Sequence, residues 1–93
     1  MNVKKLVVQI KESMRIRHPA LDDDIQRKIK AAVKDMEMRG VVIPEKSDDL
    51  VNTACELYCK AQYDHLGEGE RFMKNYESLR DSMSLSGDYN GKK

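Results

Sequence analysis

Long apolar runs are missing from this 93-residue sequence, and none approaches the roughly 20 residues that a membrane-spanning helix needs. The opening segment from Met1 to Ser13 is interrupted by charged and polar side chains, so it lacks the apolar core of a secretory signal peptide. We therefore expect no membrane association and a protein that stays in the cytosol where it is made. In that compartment the two cysteines are expected to remain reduced thiols.

Residue sets that carry catalysis, bind a metal or cradle a phosphate are also missing. Cys55 and Cys59 lie one helical turn apart, but neither His18 nor His65 stands at a spacing that would complete a tetrahedral zinc site. The two cysteines are therefore interpreted as small residues of the core or its margin. No nucleophile has a recognisable base beside it, and no glycine-rich phosphate loop is present. The sequence predicts a protein that is not an enzyme and has no cofactor and no metal.

The net charge of +1 gives no overall attraction to DNA or to an anionic membrane. Its distribution is uneven. Residues 1–40 carry ten Lys and Arg against six Asp and Glu, a balance of +4, whereas residues 41–93 carry seven against ten, a balance of −3. Ordinary solvated helix faces explain this pattern, and the alternative is that one copy meets the next head to tail.

Apolar residues recur at three- and four-residue spacings, which predicts an all-α fold, a small bundle of about four helices. The first spans about 3–14, and the second begins at the acidic cluster 22–24 and ends near Arg39 and Gly40, a common helix stop. The third spans about 47–66 and has the widest apolar arc, so it is expected at the centre of the bundle. The fourth spans about 69–83.

Two segments between and after these helices are predicted to be irregular. The connector from Val41 to Ser47 contains a short extended segment, which is not expected to be a sheet strand because no partner strand is visible. Residues 1–83 are expected to form the helical domain, and residues 84–93 an extended, flexible C-terminal tail. Leu85 and Tyr89 are apolar anchors in that tail, and with Asp88 they are the predicted partner-binding residues.

The region from Arg15 to Lys34 is rich in basic residues, which suggests an alternative function as a small helical nucleic-acid-binding regulator. Two features weaken this interpretation. The connector between the second and third helices is longer than the turn of a helix-turn-helix motif, and the basic side chains alternate with acidic ones.

The string from Tyr76 to Tyr89, YESLRDSMSLSGDY, resembles the C-terminal signature of tailed-bacteriophage head–tail connector proteins, also called head-completion or adaptor proteins. Three further stretches match the same pattern in order, so the resemblance covers nearly the whole chain. They are residues 3–17 leading into the acidic cluster, residues 29–36 followed by Gly40 and Val41, and residues 50–61.

The resemblance implies a four-helix, non-catalytic subunit of the virion that is made in the bacterial host cytoplasm. Such subunits form a homo-oligomeric ring, dodecameric in the virion, beneath the portal protein at the head–tail junction. The ring extends the DNA channel, lets DNA pass without sequence-specific binding, and joins the head to neck or tail-completion proteins. The extended tail is then expected to reach the portal or a neighbouring subunit.

Overall fold

The structure is a computed structural model that describes residues 1–91. Within those residues there is no strand, and the predicted all-α bundle of four helices is confirmed. Short 3-10 turns precede the second and the fourth helix. The helices are α1 (Val3–Met14), α2 (Asp22–Met38), α3 (Asp49–Gln62) and α4 (Gly69–Leu85).

Helix α3 lies at the centre of the bundle, as its wide apolar arc predicts, and packs against the other three helices. Its main partners are α4 and α2, while α1 packs mainly on α2. One continuous apolar core results, and residues from every helix contribute to it. The largest fully buried side chains are those of Ile10, Ile25, Ile29, Met36, Val51, Cys55, Cys59, Tyr76 and Met83.

The helix starts are stabilised in two different ways. The Asn2 side chain accepts a hydrogen bond from the backbone N–H of Lys5 at 3.1 Å and caps α1. Helix α2 follows directly on a 3-10 turn and has no side-chain cap, but its three aspartates lie in the first turn, at the positive end of the helix dipole. One of them, Asp22, also pairs with Lys11 at 2.6 Å and ties α2 to α1.

The ends of α3 and α4 differ from the predicted ones. Helix α3 ends at Gln62, four residues before the predicted end at 66. The backbone of Asp64 (φ 48°) and Leu66 (φ 57°) is left-handed, which stops a right-handed helix. Helix α4 continues to Leu85, two residues beyond the predicted end at 83.

Candidate partner-binding site

The C-terminal segment after α4 turns back on the bundle, and the prediction of an extended tail is wrong for residues 86–91. The backbone carbonyl of Ser86 accepts hydrogen bonds from the N–H groups of Tyr89 (3.0 Å) and Asn90 (2.9 Å). These bonds close a compact turn immediately beyond the helix. The last two residues of the predicted tail, 92 and 93, lie outside the described part of the chain.

Tyr89 holds this turn against both ends of the connector between α2 and α3. Its hydroxyl donates to the two carboxylate oxygens of Asp48 at 3.0 and 3.1 Å, and its carbonyl accepts from the N–H of Val42 at 2.6 Å. Burial raises the pKa of Tyr89, and its hydrogen bond to the charged Asp48 raises it further. The Tyr89 ring is half-buried against the apolar core.

Asp48 also caps α3. Its Oδ1 atom accepts hydrogen bonds from the N–H groups of Leu50 (3.0 Å) and Val51 (3.1 Å). Through this one carboxylate, the docked tail is connected to the start of the central helix. The sequence marks Asp48 as a possible helix start, but gives no signal that a tyrosine 41 residues away binds it.

The structure therefore separates the three predicted partner-binding residues. Tyr89 is occupied within the chain, whereas Leu85 is 84% exposed and Asp88 is also exposed. The Asp88 carboxylate has no cationic partner within residues 1–91, and its backbone N–H donates to the Ser86 hydroxyl at 3.2 Å. Val42, which sequence reasoning did not single out, lies beside the turn and is 57% exposed. Leu85, Asp88 and Val42 thus face outward beside this turn.

Replacing Tyr89 with phenylalanine is expected to lower the free energy of unfolding by about 1 kcal/mol, since the hydroxyl bonds to Asp48 are lost while the ring stays packed. Urea unfolding followed by circular dichroism measures the change. Glu77→Ala is the control, because an exposed side chain on α4 should change the stability by no more than about 0.5 kcal/mol. Equal effects of the two substitutions would show that the tail is not docked through Tyr89.

A buried polar cluster, which sequence reasoning missed, joins α4 to α2. Arg80 is buried, and its guanidinium donates to Asp35 at 2.8 Å and to Asp81 at 3.0 Å. The Tyr76 hydroxyl donates to the same Asp35 carboxylate at 2.7 Å, and the Arg80 guanidinium lies 5.6 Å from the centre of the Tyr76 ring. Two residues of the string that carries the resemblance, Tyr76 and Arg80, therefore hold α4 in place.

The electrostatics of this cluster favour its charged form. Burial alone would raise the pKa of Asp35, but the hydrogen bonds from Tyr76 and Arg80 and the charges of Arg80 and Arg39 outweigh it, and the net pKa is lowered. Burial and the bond to Asp35 both raise the pKa of Tyr76, so its hydroxyl keeps its proton. The cluster is a structural clamp between two helices.

No protein-family model, curated protein or solved structure matches this chain significantly. Among residues 1–91, no helix is long and apolar enough to cross a membrane. The same residues contain no group of three or more His, Cys, Asp or Glu side chains that is placed to hold a metal ion.

The two cysteines lie in the core, as predicted. Both are fully buried on α3, and burial raises the pKa of the Cys55 and Cys59 thiols to about 12. We expect neither thiol to react with a water-soluble disulfide reagent at pH 8 in the native protein, and both to react once urea unfolds the chain. Absorbance at 412 nm of the released thiolate measures this. Rapid labelling of the native protein would mean that α3 is accessible to solvent.

The predicted basic region is partly neutralised by its own acidic neighbours. Arg27 and Lys28 each lie 3.9 Å from the carboxylate of Asp24. Lys30 and Lys34 are exposed on α2 and have no carboxylate partner in the described part of the chain. Within the described residues, α2 therefore carries two cations with a carboxylate neighbour and two without one.

Proposed function

We propose that this chain is a structural assembly protein of a bacteriophage neck. It forms a ring beneath the portal protein, extends the DNA channel, and joins the head to the neck or tail-completion proteins. In this role it is not an enzyme and needs no cofactor. The protein works in the virion, at the head–tail junction, after synthesis in the host cytoplasm.

One observation carries the proposal: the string from Tyr76 to Tyr89, which resembles the connector signature, forms one continuous segment, the second half of α4 and the turn that follows it. Two inward-facing residues hold this segment on the bundle: Arg80 donates a hydrogen bond to Asp35, and Tyr89 donates one to Asp48. Its outward residues Leu85 and Asp88 face solvent at the end of the last helix. A helix end that is held on the bundle and exposes apolar and acidic side chains suits a protein that presents a docking surface to a neighbour.

The test is to produce phage particles from a genome in which this coding sequence is deleted. We expect heads that lose their packaged DNA and do not join tails, since the junction lacks its adaptor, and we expect the wild-type chain supplied in trans to restore both. Electron microscopy and plaque counts measure the outcome. If particles without this protein kept their DNA and joined tails, the proposal would be wrong.

A second candidate function is supported by Lys30 and Lys34 on α2, which have no carboxylate partner among the described residues and suit phosphate binding by a small regulator. That function predicts a mobility shift of duplex DNA by the isolated protein at low salt, weakening steeply as salt rises. The absence of a shift at low salt would eliminate it. The connector function predicts no sequence-specific binding.

A further inference from the structure

Two exposed apolar side chains, Leu85 and Val8, lie on two different helices of the bundle. Helix α4 packs mainly on α3, and its last residue, Leu85, is 84% exposed. Helix α1 packs mainly on α2, and it exposes 55% of Val8. One molecule therefore presents two separate apolar features, which a contact within the same chain does not cover.

Val8 forms part of the wall of a groove between α1 and the start of α2. The groove has a volume of about 320 Å³ and is lined by Lys4, Val7, Val8, Asp22 and Gln26. Its apolar part comes from the two valines. Asp22 is already paired with Lys11 at 2.6 Å, whereas Lys4 at the rim has no carboxylate partner within the described residues. The groove thus combines an apolar wall with a free positive charge.

The surroundings of Leu85 have the opposite charge. Helix α4 has no basic residue in its last turn, so nothing on that turn offsets the negative end of its dipole. Asp88, three residues beyond Leu85, adds a carboxylate that has no cationic partner within residues 1–91. Helix α1 shows the reverse arrangement, because its first turn contains Lys4 and Lys5 and no acidic residue. The end of α4 and the start of α1 are therefore complementary in charge, and each lies beside an exposed apolar side chain.

We propose that Leu85 of one copy inserts into the Val8 groove of a second copy, with Asp88 facing Lys4. The occupant of the groove is another copy of this chain, joined head to tail. This inference rests on the proposed function, in which copies assemble into a ring. When copies join through two different surfaces, the growing chain of copies keeps one free surface at each of its ends. The chain closes into a ring when the rotation between neighbouring copies brings those two ends together.

Heterologous disulfide trapping tests the contact with the full-length protein. Val8→Cys and Leu85→Cys variants are made separately, mixed and oxidised mildly at pH 8, where the native cysteines are buried and protonated. We expect the mixed dimer between the Val8→Cys and Leu85→Cys chains to form in several-fold excess over the mixed dimer with a Thr53→Cys control, an exposed residue on α3. A chain carrying both substitutions should give a ladder of covalent oligomers.

Charge reversal adds a second measurement. Lys4→Glu in the Val8→Cys chain is expected to reduce the yield about two- to fivefold, the range of an exposed ion pair, and Asp88→Lys in the Leu85→Cys chain should restore it. Yields equal to those of the Thr53→Cys control would overturn the contact. So would a predominance of Leu85→Cys homodimers, which would indicate a symmetric interface instead.

These outcomes are independent of the deletion experiment. If trapping fails while particles still require the protein, only the assigned surfaces are wrong and the neck function stands. If trapping succeeds while particles are complete without the protein, the contact between copies stands and the neck function falls.

Discussion

Replacing Arg80 with methionine is expected to lower the free energy of unfolding by about 3 kcal/mol, because Asp35 then keeps a charge inside the α2–α4 contact without its main cationic partner. The Arg80 side chain is only 7% exposed, and methionine fills much of its apolar stem. Asp35 is 34% exposed, so water screens part of its charge, and the loss falls at the lower end of the range for a broken buried pair.

Arg71→Met is the matched control for this substitution. Arg71 also lies on α4, also pairs with a carboxylate (Glu68, 2.7 Å), and also lies over an aromatic ring (Phe72, 5.4 Å). Its side chain is 63% exposed, so its removal should cost less than about 1 kcal/mol. Urea unfolding of both variants therefore separates the effect of burying an ion pair from the effect of forming one. Similar losses for Arg80→Met and Arg71→Met would show that the buried clamp adds nothing beyond a surface pair.

The same clamp predicts a dependence of stability on pH. The folded state lowers the pKa of Asp35 from its ordinary value of 3.8, so the stabilisation is fully present above that value. It is lost as the pH falls through the lower, folded-state pKa. Between pH 5 and pH 2, the free energy of unfolding should therefore fall less for Arg80→Met than for the wild type. Parallel curves for the two proteins would contradict the assignment of Arg80 as the group that holds this carboxylate ionised.

The sequence predicted the helices well because each one is marked locally. The spacing of Leu6, Val7, Ile10 and Met14 defines α1, whose predicted bounds the structure matches. The acidic cluster likewise falls in the first turn of α2, where the dipole favours it. Local spacing and charge are sufficient for such features because they depend on neighbours within one or two turns.

The contacts between distant residues were not predictable in the same way. Arg80 and Asp35 are 45 residues apart, and Tyr89 and Asp48 are 41 apart, and nothing in either residue's neighbourhood indicates its partner. The composition of the tail, rich in serine and glycine, indicates mobility. Its one tyrosine nevertheless donates a hydrogen bond to Asp48 and holds the turn on the bundle. The sequence therefore marks Leu85, Asp88 and Tyr89 as one candidate group, whereas the inward position of Tyr89 and the outward position of the other two required the structure.

Gly69→Ala is expected to lower the free energy of unfolding by about 2–3 kcal/mol, as an overpacked core does. Gly69 begins α4 and is buried against the end of α3. A Cβ atom there would lie 2.7 Å from Asp64 Oδ1 and 2.9 Å from the backbone carbonyl oxygen of Ala61. The Asp64 side chain can rotate away only by giving up its 2.8 Å hydrogen bond from the Gly69 N–H, and the carbonyl cannot move without the last turn of α3.

Glu70→Ala provides the comparison, since this neighbouring residue on α4 is 89% exposed and its truncation should change stability by less than about 0.5 kcal/mol. Asp64→Ala combined with Gly69→Ala separates the two clashes, because it removes the carboxylate and leaves the Ala61 carbonyl in place. We expect the double variant to remain less stable than Asp64→Ala alone, because the backbone contact is the one that cannot relax. A Gly69→Ala protein as stable as the wild type would mean that α3 and α4 do not approach this closely, and that the junction between them is free to adjust.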